Sequence, residues 1–152
     1  MDEPRQSIRS ALERQDVIWL SSIRPDRRPH VLPVWFAWDG RSILVFSKPH
    51  AQKIRNLRLD PAVMIAIGQP GLEFDVELIE GVAELETAAT SELMAEVFVS
   101  KYRALMGQAG ITPAEYAAVY AQPIRIRPRR WLDWGGPGWI DRPGHPAFLP
   151  VA

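Results

Sequence analysis

No cysteine occurs among the 152 residues. That absence excludes disulfides, thiolate nucleophiles and thiolate metal sites together, and it is compatible with a reducing compartment. Histidine is scarce as well. His30, His50 and His145 stand at spacings that match no ligand motif, so no metal centre is expected. An excess of charge of either sign is missing too, since 18 basic residues face 18 acidic ones. No global field therefore points to nucleic acid, an anionic membrane or a polyanionic substrate. No stretch approaches the ~18 consecutive apolar residues of a membrane span. The opening MDEPRQSIRS has no apolar centre of the kind a signal peptide needs, and a cytoplasmic protein is expected. Lysine is rare beside arginine, with Lys48, Lys53 and Lys101 against fifteen arginines. Genomic base composition is the ordinary explanation.

What is present suits one domain with one core, because a chain of this length buries roughly two-thirds of its unfolded surface on folding. Residues 1–136 are read as that domain, and the Gly- and Pro-rich stretch 137–152 as a tail. SIRSALERQ places Ile8 and Leu12 at helical spacing, and Ser10 with Glu13 reads as a capping box. VIWLSSI at 17–23 reads as a strand, followed by the turn RPDRRP. HVLPVWFAW at 30–38 leads through Asp39-Gly40 into RSILVFS at 41–47, which is a hairpin signal. AVMIAIG at 62–68 and, after a QPG turn, EFDVELIEGVAEL at 73–85 are further strands, the second with a break or bulge near Gly81. Helices are expected at about 90–106 and 113–120. The second begins with Thr112 as N-cap, Pro113 at the first helical position and Glu115 at the third. PIRIRPRRWLDW at 123–134 returns to strand, its basic run alternating with buried positions rather than forming a nucleic-acid surface.

Antiparallel strands with few helices imply a small closed barrel, because closure removes exposed edges. In the 30–38 strand, Val31, Pro33, Trp35 and Ala37 alternate with Leu32, Val34, Phe36 and Trp38. Both faces are apolar. One can fill the barrel, and the other must meet a partner subunit, a planar ligand or the helices. Pro33 cannot donate to a ladder, which favours an edge or a bulge.

The stretch VFSKPHAQKIRNL at 45–57 changes from strand to helix, with Lys53 and Asn56 on the same side of the helix. A helix N-terminus with a lysine in its first turn suits a phosphate, Ser47 offers a hydroxyl and Lys48 a second charge. A solvated helix start is the competing explanation. Asn56 serves equally well as a structural residue bonding to the preceding loop.

The run WLSSIRPDRRPHVLPVWFAWDGRSILVFSKPHAQKIRNLRLDPAVMIAI resembles the N-terminal core of the flavin-binding split β-barrel superfamily, that of pyridoxamine 5′-phosphate oxidase and its relatives. Within it RPHVLPVWF, the K-x-R-N-L helix and the LDP turn resemble the group that uses the deazaflavin coenzyme F420. SKYRALMGQAGITPAEYAAVYAQPIRIRPRRWLDWGG is similar to the later part of the same group. The resemblance implies a mainly β fold, a six- to seven-stranded antiparallel, Greek-key-like split barrel. It also implies a homodimer with cofactor sites at the subunit interface. Position by position, Leu32, Pro33, Val34 and Trp35 match the strand that lines the flavin ring. Phe46 and Ser47 match the next contact pair, and Lys53 a phosphate-binding lysine, with Lys48, Gln52 and Asn56 around it. The oxidases carry an arginine immediately before that lysine, where this chain has Gln52, and their C-terminal arginine and histidine pattern is not recognisable here. Both departures argue against vitamin B6 oxidation, and Arg55 is the candidate to supply the missing charge. A haem-binding version of the barrel would need an axial ligand, and no histidine stands out as one.

No catalytic side chain is expected, because in such chemistry the cofactor carries the hydride while the protein orients and shields it. The resulting expectation is hydride transfer between coenzyme F420 and a small conjugated or planar substrate. FMN in place of F420, and a non-catalytic carrier of a flavin or another planar ligand, are the alternatives.

Overall fold

A computed structural model describes residue 4 and residues 6–69, 75–94 and 96–134 of the chain. The tail 137–152 and most of the turn after Gln69 lie outside the described residues. Among them, no helix is long and apolar enough to cross a membrane.

Seven strands form one antiparallel sheet: β1 (Ile18–Ile23), β2 (Pro29–Val34), β3 (Ala37–Trp38), β4 (Ile43–Ser47), β5 (Ala62–Gln69), β6 (Asp75–Leu85) and β7 (Gln122–Trp134). Their order is β2-β1-β5-β6-β7-β4-β3. The two ends of that order, β2 and β3, are consecutive in the chain and are joined through Trp35 and Phe36. The sheet therefore curls back on itself, and one short corner joins its two margins.

The alternation that a half-buried strand requires is plain in β1, where Ile18, Leu20 and Ser22 are buried while Trp19 and Ile23 are exposed. β4 is buried at all five positions. Ile43 and Val45 enter the barrel core, and Leu44 and Phe46 enter a second apolar cluster on its outside. That cluster is completed by Phe98, Tyr102, Met106 and Tyr116 from a helical excursion between β6 and β7. The excursion comprises α3 (Thr90–Leu93), α4 (Glu96–Gln108) and α5 (Pro113–Val119). It leaves and returns at one place, for Leu85 pairs with Ile124 and the Glu86 N–H donates to the Pro123 carbonyl at 3.1 Å. Two further helices, α1 (Gln6–Arg14) and α2 (Gln52–Leu59), complete the described fold. Ile8 and Leu12 of α1 and Ile54 and Leu57 of α2 pack into the barrel core.

The structure corrects the sequence reading in several places. The expected single strand at 30–38 is two, β2 pairing with β1 and β3 with β4. A straight strand cannot serve both partners, so the backbone turns at Trp35-Phe36. There the Phe36 N–H donates to the Tyr102 hydroxyl at 2.9 Å instead of to a strand. The β3–β4 hairpin forms, but over the four residues Asp39 to Ser42 rather than a two-residue turn. Gly40 takes φ 90°, and Asp39 Oδ1 accepts from the backbone of Arg41 and Ser42. Ser10 is not an N-cap. It lies inside α1, where its carbonyl accepts from Arg14 Nε. The helix expected at 90–106 is divided at Met94. The Thr112–Glu115 capping box is present as read.

The irregularity expected near Gly81 is also found, since pairing passes from Glu80–Arg130 to Gly81–Pro128 and skips Arg129. The extra residue therefore belongs to β7. Pro128, which has no N–H to contribute, stands opposite the glycine.

Candidate functional site

Seven of the ten residues read as cofactor-binding line one cavity of about 600 Å³: Leu32, Pro33, Val34, Trp35, Phe46, Lys48 and Lys53. β2 and its corner form one wall, the end of β4 and the start of α2 the floor. The helical excursion adds Ala109, Ile111, Tyr116 and Tyr120, while Val17 and Ala51 fill gaps. The expected two-faced character of the 30–38 segment holds. Val34 and Phe36 are buried in or against the barrel core, Trp35 and Ala37 pack on the helical cluster, and Val31 and Pro33 are exposed.

The remaining three residues lie in the supporting layer. Ser47 is fully buried and its hydroxyl donates to the Lys48 carbonyl at 3.2 Å. Asn56, also fully buried, donates through Nδ2 to the Ser22 hydroxyl at 2.9 Å, which ties α2 to β1. Gln52 donates to Asn56 Oδ1 at 2.8 Å and accepts from Arg55 at 2.7 Å. Arg55 is thus held against Gln52 on the exposed side of α2 and does not line the cavity.

Lys53 is unusual. It is only 8% exposed, yet no ion pair or hydrogen bond to its ammonium is found among the described residues. Burial, and secondarily the like charge of Lys48, push its pKa down. The start of α2 is equally unsatisfied. Ala51 supplies no capping side chain, and the N–H groups of Gln52 and Lys53 find no acceptor among the described residues. An uncompensated cation and two open N–H donors thus converge at one end of an apolar cavity, an arrangement that an anionic oxygen group would complete. Another hollow among the described residues differs in this respect. Of its guanidinium groups, Arg125 is paired with Asp39 and Glu86, and Arg127 with Glu84.

Aromatic stacking builds a further wall, and it reaches the cations, since Lys48 Nζ lies 6.0 Å from the centre of the Tyr120 ring. Trp35 stacks on Tyr102 at 4.6 Å between centroids and on Tyr116 at 5.6 Å, and Tyr116 stacks on Tyr120 at 4.5 Å. Tyr102 holds the corner that carries Trp35. Its hydroxyl accepts from the Phe36 N–H and lies 2.8 Å from both the Phe36 and the Asp16 carbonyl. Reading the sequence did not single out Tyr116 or Tyr120 as site residues. The signal was available, because four-residue spacing after the Thr112–Pro113 helix start places both on one face.

Seven antiparallel strands closed through a corner, with a cavity against the outside of the closure, define a split β-barrel. The chain belongs to the pyridoxamine 5′-phosphate oxidase family, which it matches over residues 4–135. Among solved structures it is similar to an F420 reductase, at 27% identity and TM-score 0.58, over 80% of this chain and 93% of that one. It is also similar to the conserved hypothetical protein Rv2991 from Mycobacterium tuberculosis, at 26% identity and TM-score 0.67, over 89% and 86% of the two chains. A putative pyridoxamine 5′-phosphate oxidase from Listeria innocua shares the fold, at 22% identity and TM-score 0.61, over 83% and 94%. No curated protein matches the chain.

Proposed function

We propose that this protein is a homodimeric oxidoreductase that moves a hydride between coenzyme F420 and a small conjugated or planar compound. The observation that carries the reading is the buried Lys53, without a partner among the described residues, beside the uncapped start of α2 and facing the apolar cavity. Phosphate oxygens of the cofactor would neutralise Lys53 and accept from the open N–H groups, and Leu32 to Trp35 with Phe46 would border the ring. Similarity to an F420 reductase supports that choice of cofactor. So does Gln52, which stands where the oxidases have an arginine and is engaged with Asn56 and Arg55. Bound coenzyme F420 supplies the hydride chemistry. The protein's own work is to fix the ring against the corner, hold the phosphate and keep water out.

The partner subunit enters through the outer face of the sheet. Trp19, Ile23 and Val31 are exposed there, and β1–β2 register sets Trp19 beside Pro33, which also lines the cavity. A second copy covering this face would border the site.

Equilibrium titration with coenzyme F420 and with FMN tests the reading. F420 is expected to bind more tightly. Lys53→Ala should weaken it roughly ten- to hundredfold, the loss of a charge-assisted hydrogen bond, and Lys48→Ala, at an exposed position, should weaken it less. Preference for FMN by about tenfold would favour the flavin instead. Unchanged binding by Lys53→Ala would leave the junction a mere solvated helix start.

A further inference from the structure

The cavity is lined by two phenols that the cofactor reading does not use, Tyr116 and Tyr120, and Tyr116 is the more deeply buried. The residue is 5% exposed, and its ring is stacked between Trp35 and Tyr120. Phe46 and Phe98 approach it from other sides, at 6.5 and 5.6 Å between centroids. Such packing leaves the ring no alternative position. A phenol buried to this degree ordinarily has a hydrogen-bond partner, since leaving the group unpaired costs free energy. Tyr102, its neighbour in the same cluster, satisfies that rule through Phe36 and Asp16. Tyr116 does not. No described residue pairs with its hydroxyl, and that oxygen is not sealed from solvent, while the side chain lines the cavity.

We propose that the Tyr116 hydroxyl is a hydrogen-bond donor that selects the substrate, taking a planar compound with a carbonyl oxygen in preference to the corresponding hydrocarbon. The role rests on the reading of the cavity given above and names its substrate class more narrowly. Leu32, Pro33, Ala109 and Ile111 offer apolar contact for a flat ring, and Tyr116 is a fixed donor at the wall. Burial, then the neighbouring Tyr120 and Tyr102, push the Tyr116 pKa up, so the phenol keeps its proton throughout the ordinary pH range. It donates and does not ionise. A site that offers a donor to one oxygen also disfavours a ligand lacking that oxygen, because the hydroxyl is then buried without a partner.

The test uses 1-indanone and indane, which differ in the carbonyl, titrated into the full-length protein and into Tyr116→Phe and followed by ligand-observed NMR. The parent should prefer the ketone about fivefold, the worth of one neutral hydrogen bond. Tyr116→Phe should lose that preference while binding indane as the parent does. Absence of ketone preference in the parent, or its persistence in Tyr116→Phe, overturns the proposal. Titration of both proteins with coenzyme F420 separates this role from the cofactor assignment. Equal F420 affinity is expected. A loss confined to F420 would give the hydroxyl to the cofactor and overturn the proposal, whereas absent F420 binding with ketone preference intact would sink only the cofactor reading.

Discussion

Lys101 of α4 shows how a single half-buried charge sets a pH response. Its ammonium lies 3.7 Å from the centre of the Phe36 ring and donates to the Leu12 carbonyl at 3.4 Å, joining α4, the corner and α1. Burial pulls its pKa from 10.5 down to about 8, with Asp16 opposing the shift. Between those two values the unfolded chain holds a proton that the folded chain has released. Stability contributed by this group therefore rises with pH through the window and is lowest below about 8. Melting temperatures of the parent and Lys101→Met, compared at pH 7.5 and pH 10, should show the parent gaining on the variant at the higher pH. A constant difference would mean that the cation–π contact and the backbone bond, not desolvation, govern the site. Residue-level features of this kind were only partly legible in the sequence. The position of Lys53 was, because a lysine in the first turn of a helix after a strand is a local pattern. The isolation of Tyr116 was not, because it depends on which distant groups fail to reach its hydroxyl.

Individual elements were legible where their causes are local. A run rich in β-formers located β1, the Thr112–Pro113–Glu115 sequence set the start of α5, and Gly81 marked the irregularity between β6 and β7. The corner at Trp35-Phe36 was hidden for the opposite reason. Its backbone donor is satisfied by Tyr102, 66 residues away, which no window along the chain contains. Gly81 permits a quantitative expectation. A Cβ there would meet Ile126 Cγ2 at 2.9 Å and the Arg127 carbonyl oxygen at 3.1 Å. Ile126 is fully buried and Arg127 belongs to the paired strand, so neither yields freely. Gly81→Ala should cost about 1–3 kcal/mol, the usual range for overpacking. Urea denaturation at unchanged m-value measures it, and a variant as stable as the parent would show that β7 shifts at no cost.

The described residues leave an apolar face of the sheet bare. Trp19 and Val31 are 52% and 53% exposed, Ile23 lies beyond them, and β1–β5 register continues the face from Trp19 to Ala66. Water contact over such an area is unfavourable by about 25 cal/mol for each Å² that a partner would cover. Sedimentation at micromolar concentration should find the parent dimeric and Trp19→Glu monomeric. Because Pro33 belongs to both this face and the cavity, the monomeric variant should also bind coenzyme F420 more weakly. A folded, monomeric parent would disprove the dimer and leave each cavity complete within one chain. The barrel itself was foreseeable from strand count and the need to remove edges. Closure through β2 and β3 was not, since it requires knowing that neighbours in sequence occupy opposite ends of the sheet.

The excursion at residues 86–121 begins and ends between two strands that are paired to each other in any case. Its ends are held by the Leu85–Ile124 pair, and the entropy of closing such a loop rises only by about 0.6 kcal/mol for each doubling of its length. Such an insertion is built as an exchangeable cassette. Helices could be added, removed or replaced there without unpicking the barrel, provided some residue still serves the corner as Tyr102 does. Lys53 and the start of α2 lie on the barrel side of that division, while Tyr116 and Tyr120 both lie within the excursion. If Lys53 holds an anion and Tyr116 selects the substrate, as proposed above, transplanting residues 86–121 between family members should carry specificity with it and leave anion binding unchanged.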